Sequence, residues 1–399
     1  MMATPAVVVN AYRRPEALRR LLDSVGAAAY PAGRPVPLVF SIDGGPGRSA
    51  EVLRIAESFE WTAGPKLVEP HPRHLGLVGN FQFCGELTAT YGAIAYLEED
   101  LSVSPAFYAY ASQALDRFGP DDRIALVSLY ALWFNGYTHE PFVPLEDGAD
   151  VFFVGVPYHQ GLAFTRGQWE AVAPAIAGTR PLRPQGDLHN SFLALGSDEW
   201  FGRAAAHCAA TGRYVVYPRV SLATGWGDVG THFRRPSRFM QVPLEGTRSS
   251  WRFHDLDDAA AVYDGFFEIR PAVLRRLAPA LPDLDFDVDL YATKRRRNLH
   301  HAHVLTSRPA PRAIARFGRV MWPAEANVIH AVPGDEISLA PVESVDWSRW
   351  GDLRARTGTP QYFARGRWRS RGRLALASAV VYAGDRLERR LRRKLRGAT

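Results

Sequence analysis

The chain has 399 residues, of which 47% are hydrophobic and 22% are charged, and its formal net charge is +7. This is ordinary globular composition with enough apolar residues for a sizeable core, so the chain forms one large domain with an appendage or two domains. Its two cysteines, Cys84 and Cys208, exclude a disulfide framework and a cysteine metal site. We expect both thiols to be buried and inert. The first residues show no secretory signal, so we expect a cytoplasmic protein.

The first 130 residues alternate apolar, β-rich runs with amphipathic stretches. The runs predict strands at residues 6–12, 37–43, 66–71, 93–99 and 123–130. The amphipathic stretches predict helices at residues 15–28, about 48–59, about 77–92 and in the segment 104–118. This order predicts an α/β fold with a mostly parallel, doubly wound, Rossmann-like sheet, which binds ligands at the carboxyl ends of its strands.

The second half of the chain is less regular. A helix that begins near Ser197 leads to a strand at 214–223 and then to a glycine-rich loop around residues 225–230. Beyond about residue 245 the pattern loosens. We therefore predict a first domain over 1–245, an α-rich extension over 246–364 and a basic amphipathic tail over 365–399.

The tail concentrates the positive charge of the chain. Its apolar centre, Leu374 to Gly384, is too short to span a bilayer, but arginines on both flanks favour a helix lying on an anionic membrane surface. The alternative is a solvated basic helix or a frayed end. We predict no nucleic-acid partner, because the sequence contains no recognised DNA- or RNA-binding motif.

Polar side chains follow three of the predicted strands. They are Asn10 to Arg14 after the first strand, Asp43 after the second, and Glu98 to Asp100 after the fourth. In a parallel sheet these positions converge on one rim. The sequence has neither a Gly-x-Gly-x-x-Gly loop nor a Walker lysine loop, so a dinucleotide or P-loop site lacks its phosphate cradle.

Three adjacent acids at a strand end repel one another and need a cation, a ligand or water to compensate them. Mg²⁺ or Mn²⁺ prefers such oxygen ligands and leaves positions for substrate phosphate. In an extended segment Glu98 and Asp100 would share one side, with Glu99 on the other. An acidic strand end in plain water is the alternative.

Four early segments carry a family resemblance: "VVVNAYRRPEALRRLLDSV", "FSIDGG", "HLGLVGNF" and "LEEDLSVSPAFYAY". Their order and spacing resemble family 2 and related inverting glycosyltransferases of the GT-A fold. Later segments resemble the N-acetylglucosaminyltransferase I family, on Asp198-Glu199-Trp200 followed by Arg203 and on "TGWGDVGTHF". The resemblance covers roughly residues 5 to 240.

The resemblance implies a role for each matching residue. Asp43 would bind the nucleotide base, Arg14 or Arg13 would lie near the nucleotide, Asp100 would bind the metal, and Glu98 and Glu99 would contact the donor sugar and ribose. The implied donor-binding set also includes Asn10, Gly76, Asn80 and Thr231. Glu99 departs from the family, which has aspartate there, and its extra methylene could alter donor preference.

The resemblance also implies the residues of the transfer step. Asp198 would be the base on the face opposite the leaving diphosphate, with Glu199 as the alternative, and a single base there gives inversion. An ordinary acid at a helix N-terminus is the alternative interpretation of Asp198. His232 would complete the metal shell or meet the diphosphate, although a lone histidine is more often structural.

We therefore expect an inverting, Mn²⁺- or Mg²⁺-dependent glycosyltransferase that uses a nucleotide sugar, with a UDP-sugar favoured. Its acceptor would be a glycan or glycolipid, at the inner face of a bacterial cell membrane. A sugar-1-phosphate nucleotidyltransferase shares the sheet but should carry a glycine-rich loop and a lysine after the first strand, and the sequence has neither. A GT-A-like domain that binds nucleotide or glycan without turnover is the third hypothesis.

Overall fold

The computed structural model describes residues 3–45, 49–138, 140–184, 186–195, 199–229 and 240–357. The strands are β1 (Ala6–Ala11), β2 (Leu38–Ile42), β3 (Lys66–Pro70), β4 (Ala93–Glu98), β5 (Leu101–Val103), β6 (Ile124–Ser128), β7 (Phe134–Asn135), β8 (Glu140–Pro141), β9 (Val151–Val154), β10 (Leu162–Thr165), β11 (Tyr214–Pro218), β12 (Ala223–Gly225), β13 (Val262–Tyr263), β14 (Phe286–Asp289), β15 (His303–Thr306), β16 (Ala315–Phe317) and β17 (Ile337–Pro341). The helices are α1 (Pro15–Gly26), α2 (Ala50–Ser58), α3 (Gly76–Glu86), α4 (Thr88–Tyr91), α5 (Phe107–Phe118), α6 (Arg166–Ala177), α7 (Trp200–Thr211), α8 (Pro271–Leu277), α9 (Ala326–Ile329) and α10 (Arg349–Thr357).

The elements predicted for the first 130 residues are all present within a few residues of their predicted bounds. Helix α1 begins at Pro15, which suits the first helical position, and buries Leu18, Leu21 and Val25 on one face. The predicted helix over 77–92 is divided into α3 and α4. The predicted cap at Ser197 lies outside the described residues.

A nine-stranded sheet forms the centre of the described structure, in the order β13-β9-β11-β6-β10-β4-β1-β2-β3. Five of its eight neighbouring pairs are parallel and three are antiparallel. The predicted α/β fold with a mostly parallel sheet is therefore confirmed. The sequence did not predict that antiparallel β10 lies between β4 and β6, because its short apolar run shows no sign of strand direction.

The central strands are buried on both faces. Every residue of β1 is buried, and β2 and β6 are buried along their whole length. This explains why their sequences are continuous apolar runs without alternation. The polar residues at the ends of these strands therefore lie on a rigid frame.

The predicted extension contains helices and also a four-stranded sheet, in the order β14-β15-β17-β16. It adjoins the main sheet through β13, which pairs with β9 at the sheet edge. Two buried ion pairs hold it: Lys294 Nζ lies 2.6 Å from Asp264 Oδ2, and Arg308 Nε lies 2.8 Å from Asp289 Oδ2. The division at residue 245 stays a prediction.

Two expectations about the rest of the chain concern its thiols and its membrane contact. Cys84 and Cys208 are buried and free, as predicted, and burial raises the pKa of each thiol to about 12. Within the described ranges no helix combines the length and the apolar character needed to cross a membrane. The tail at 365–399 lies outside those ranges.

Glu325 joins the extension to the sheet edge and should make stability depend on pH. It is 1% exposed, accepts a 2.9 Å hydrogen bond from Tyr263 Oη, and burial raises its pKa from 4.5 to about 7. Between these values the folded chain keeps a proton that the unfolded chain has lost. Stability therefore falls as pH rises through this window, by about 3 kcal/mol in total.

The variant Glu325→Gln carries no titrating group at this position, so we expect it to lack this loss. Urea unfolding at pH 5 and pH 8 gives the free energy of unfolding of both proteins. The value for the variant minus that for the wild type should be about 3 kcal/mol larger at pH 8 than at pH 5. Glu336→Gln, at an exposed position, is the matched control. If the free energy of unfolding changed by the same amount between pH 5 and pH 8 in the wild type and in Glu325→Gln, the expectation would be wrong.

Candidate functional site

The carboxyl ends of β1, β2 and β4 bring the predicted polar residues together. Asn10 on β1 is in register with Ser41 on β2 and with Glu98 on β4. Glu99 follows directly after Glu98, and Asp43 follows two residues after Ser41; the backbone N–H of each donates to a carbonyl of β1. The predicted convergence on one rim is thus observed.

Arg14 compensates two of the three acids. Its Nε lies 2.9 Å from Glu99 Oε1, and its Nη1 lies 2.9 Å from Asp100 Oδ2. The predicted alternation is wrong for this pair, because β4 ends at Glu98 and the following turn aims Glu99 and Asp100 at the same guanidinium. Burial raises the pKa of Glu99, and the charge of Arg14 opposes that rise.

Glu98 is separate from that ion pair. Tyr96 Oη donates to Glu98 Oε1 over 3.2 Å, since residues two apart on a strand share a face. Burial raises the pKa of Glu98 well above its ordinary value, and the charges of Asp100 and Glu99 raise it further. Burial and the two neighbouring acids thus both disfavour a charge on Glu98, whereas Arg14 pairs with the other two acids.

A buried hydrogen-bonded chain of side chains runs beneath the rim. Its members, in order, are His71, Ser41, Asn80, Asn10, Tyr96 and Glu98. From Ser41 onward each side chain donates a hydrogen bond to the next. The Ser41 hydroxyl donates to the Asn80 oxygen, the Asn80 amide donates to the Asn10 oxygen, and the Asn10 amide donates to Tyr96 Oη over 2.7 Å. A fully satisfied network of this kind rigidifies the strands that carry it.

Two of the predicted donor-binding residues, Asn10 and Asn80, belong to this network. Their side chains are buried, 7% and 2% exposed, and hydrogen-bonded to each other. In this structure they hold β1 against α3. Their predicted contact with a donor stays a prediction. Tyr96, which the sequence reasoning missed, links them to Glu98, and its signal was the two-residue spacing from that acid.

The Asp43 carboxylate is hydrogen-bonded to the loop before α3. One carboxylate oxygen accepts from the backbone N–H groups of Gly44 at 2.8 Å and Leu75 at 2.7 Å. The other accepts from Gly76 N at 3.1 Å and lies 2.8 Å from His74 Nδ1. Gly76 has a φ of +72°, which favours glycine at this position. The predicted donor-binding residues Asp43 and Gly76 therefore contact each other.

Helix α7 begins at Trp200, directly after the two residues predicted as the base. Glu199 precedes that helix, while Asp198, Thr231 and His232 lie outside the described residues. Trp200 stacks on Phe81 of α3 with ring centres 4.1 Å apart, and Phe81 lies 4.9 Å from the Tyr96 ring. The start of α7 is therefore anchored beside the helix that carries Asn80.

Trp226 is hydrogen-bonded next to Asp100. Its backbone N–H donates to Asp100 O over 3.2 Å, and its Nε1 donates to Ser102 Oγ over 2.7 Å. The Arg20 guanidinium lies 4.7 Å from the centre of the indole ring. Trp226 is nevertheless 48% exposed. An exposed indole fixed beside Asp100 suits contact with a sugar face.

The acids at the rim supply only part of the ligands that a divalent cation needs. Carboxylate oxygens are the donors that Mg²⁺ and Mn²⁺ prefer, and Asp100 keeps 28% of its side chain exposed. No group of three or more His, Cys, Asp or Glu side chains in the described part of the chain is arranged to hold a metal ion by itself. The donor set therefore fits a cation that takes most of its ligands from water or a substrate diphosphate.

Comparison with known proteins gave a partial likeness in fold. No family model matches the chain, and no curated protein matches it. Similar solved structures include GalNAc-T7 with UDP, GalNAc and Mn²⁺ (12% identity, TM-score 0.38, covering 54% of this chain and 43% of the other). They also include the mannosyltransferase PcManGT from Pyrobaculum calidifontis with GDP-Man and Mn²⁺ (16% identity, TM-score 0.36, covering 55% of this chain and 55% of the other). A third is S. aureus TarS 1–349 (10% identity, TM-score 0.35, covering 55% of this chain and 59% of the other). The chain thus spans about half the length of the structures it matches, and TM-scores of this size carry no argument about its function.

Proposed function

We propose that the protein is an inverting, divalent-metal-dependent glycosyltransferase of the GT-A type. It moves a sugar from a nucleotide sugar to a hydroxyl of a glycan or glycolipid, in bacterial cell-surface polysaccharide or glycolipid synthesis at the inner face of the cell membrane. The observation that carries the proposal is the convergence of Arg14, Asp43 and Asp100 on one rim of a mostly parallel sheet. Ligands bind at this edge of such sheets.

In this proposal the rim binds the donor. Asp100 and His232 would hold Mn²⁺ or Mg²⁺, and the cation would neutralise charge on the departing diphosphate. Arg14 lies within reach of the same phosphates, since it already contacts Asp100. Glu98 and Glu99 face the sugar and ribose, and Trp226 covers the sugar. We favour a UDP-sugar as the donor.

The transfer needs a base on the acceptor side. The acceptor oxygen attacks the anomeric carbon, its proton passes to Asp198 or Glu199, and the bond to the diphosphate oxygen breaks. Attack from the opposite face inverts the configuration at that carbon. The stacking of Trp200 on Phe81 supports a fixed position for the preceding residue, Glu199, beside α3.

One observation favours a second candidate, a GT-A-like domain that binds nucleotide or glycan without turnover. Arg14 pairs with both Glu99 and Asp100. An acid cluster that is satisfied by an internal arginine has less need of a metal. The two candidates differ in metal dependence and in turnover.

Thermal unfolding with nucleotides tests the donor site. UDP, GDP, CDP and dTDP, each with and without Mn²⁺, should include one nucleotide that raises Tm only with Mn²⁺. At a hundredfold excess over Kd the stabilisation is about 3 kcal/mol. Asp100→Ala should abolish the shift, whereas Asp122→Ala, at an exposed position, should keep it.

The outcomes separate the candidates. A shift that needs no metal and survives Asp100→Ala supports the non-catalytic binding domain. Absence of any shift contradicts the metal-dependent donor site and leaves a domain that binds only glycan as the candidate. When a nucleotide binds with metal, release of the diphosphate from the matching nucleotide sugar, with inverted product shown by NMR, establishes turnover.

A further inference from the structure

An exposed apolar tip lies in the extension, outside the candidate site. It consists of Val320, Met321 and Trp322, which are 79%, 40% and 41% exposed. Three consecutive large apolar side chains in solvent are an aggregation liability unless something covers them. The tip therefore needs an explanation that the transfer reaction does not supply.

The tip is held in shape by one buried side chain. Asn327 is 0% exposed, and its Oδ1 accepts from the backbone N–H groups of Val320 and Met321, each over 2.8 Å. Its Nδ2 donates to the carbonyls of Met321 and Ala324, each over 2.9 Å. All the hydrogen-bonding capacity of this amide fixes the backbone from which the apolar side chains project.

The tip is tied to the helix from which the tail continues. Arg319 Nη1 donates to the carbonyl of Ala355 on α10 over 2.7 Å, and α10 ends at Thr357. Residues 365–399 contain twelve basic and two acidic residues, a net charge of +10 in a chain whose total is +7. The segment that carries the net positive charge of the chain therefore begins at residue 365, shortly after Ala355, the residue of α10 that Arg319 contacts.

The surface beside the tip does not itself attract anions. Gly334 packs on Gly318, which brings the exposed acids Asp335 and Glu336 near the tip, and Arg316 Nε lies 3.8 Å from Asp335 Oδ1. The two acids and the two nearby arginines, Arg316 and Arg319, carry opposite charges that balance. The tip thus offers apolar contact, and the tail offers charge.

We infer that the tip inserts among the headgroups of an anionic lipid bilayer, with the basic tail supplying the electrostatic attraction. Trp and aliphatic side chains are favoured at the membrane interface, and stable peripheral binding takes two signals, apolar insertion and a polybasic segment. This docking is independent of the proposed transfer reaction. Its test measures vesicle binding and no catalysis.

A fluorophore on the tip tests the insertion in the full chain. Because Cys84 and Cys208 are buried, Val320→Cys adds an exposed thiol for a polarity-sensitive dye. Vesicles containing phosphatidylglycerol should shift its emission to the blue, and pure phosphatidylcholine vesicles should do so far less. The control is Ser58→Cys, an exposed position on α2, which packs against β2 and β3 at the far edge of the nine-stranded sheet.

A second variant measures the contribution of the tip to binding. Replacing Val320, Met321 and Trp322 together with serine should weaken partitioning into phosphatidylglycerol vesicles by about tenfold or more. The control is Leu67→Ser, an exposed apolar residue on the far edge strand β3, and it should bind as the wild type does.

Three outcomes would overturn the inference. The first is unchanged partitioning of a folded triple variant, which would mean that the tail alone binds. The second is absence of vesicle binding by the wild type. The third is tip-dye emission that is already blue before vesicles are added and does not change with them, which would mean that another segment of the chain covers the tip.

Discussion

Asp43→Ala should lower the free energy of unfolding by about 4 kcal/mol. The carboxylate is 4% exposed and accepts from the backbone N–H groups of Gly44, Leu75 and Gly76, with His74 Nδ1 also at 2.8 Å. Alanine leaves these donors without their acceptor. Each buried donor that loses its partner costs about 1–3 kcal/mol, and partial hydration of the loop reduces the sum.

Urea unfolding of Asp43→Ala measures this effect. The matched control, Asp122→Ala, removes an exposed carboxylate and should stay within about 0.5 kcal/mol of the wild type. A loss of less than about 1 kcal/mol for Asp43→Ala would show that the loop does not depend on this acid. Nucleotide binding by the variant, measured well below its Tm, then tests the predicted contact with the base separately.

Arg14→Met should destabilise the protein by about 4 kcal/mol in the absence of divalent cations, and Mn²⁺ should restore part of that loss. Methionine keeps the apolar stem of the side chain but removes the charge that pairs with Glu99 and Asp100 at 2.9 Å each. Glu99 and Asp100 then lack their cation. A metal ion that binds at Asp100 would compensate them as Arg14 does.

Tm with and without Mn²⁺ measures this rescue. Arg13→Met is the matched control, because Arg13 is the same residue type one position away and its guanidinium lies 5.7 Å from the centre of the Tyr12 ring. The Mn²⁺-induced rise in Tm should be larger for Arg14→Met than for the wild type or the control. Equal rises in all three proteins would argue against a cation at these acids.

The early part of the fold could be read from the sequence because its signals are local. The buried run of β1 and the amphipathic face of α1, with Leu18, Leu21 and Val25 at helical spacing, each identify one element without reference to the rest. The position of β10 between β4 and β6 could not be read, since a short apolar run does not indicate direction or neighbour.

For the candidate site, too, only part of the arrangement could be predicted from the sequence. The sequence placed Asn10, Asp43 and Glu98 on one rim, because parallel strands that alternate with helices must bring their carboxyl ends together. It left open whether Arg13 or Arg14 belongs near the nucleotide. The side-chain directions after β1 and β4 aim Arg14 at Glu99 and Asp100, and no local pattern encodes such directions.

By itself, then, the sequence determined the α/β order, the rim and the charge of the tail, since these follow from periodicity, strand ends and composition. Only the tertiary structure decided what those residues contact: Arg14 on the acids, Asp43 in the loop before α3, and Asn327 beneath an apolar tip. Each of these contacts joins residues from separate elements or loops. Their geometry depends on how those parts pack, which a pattern along one strand or helix does not contain.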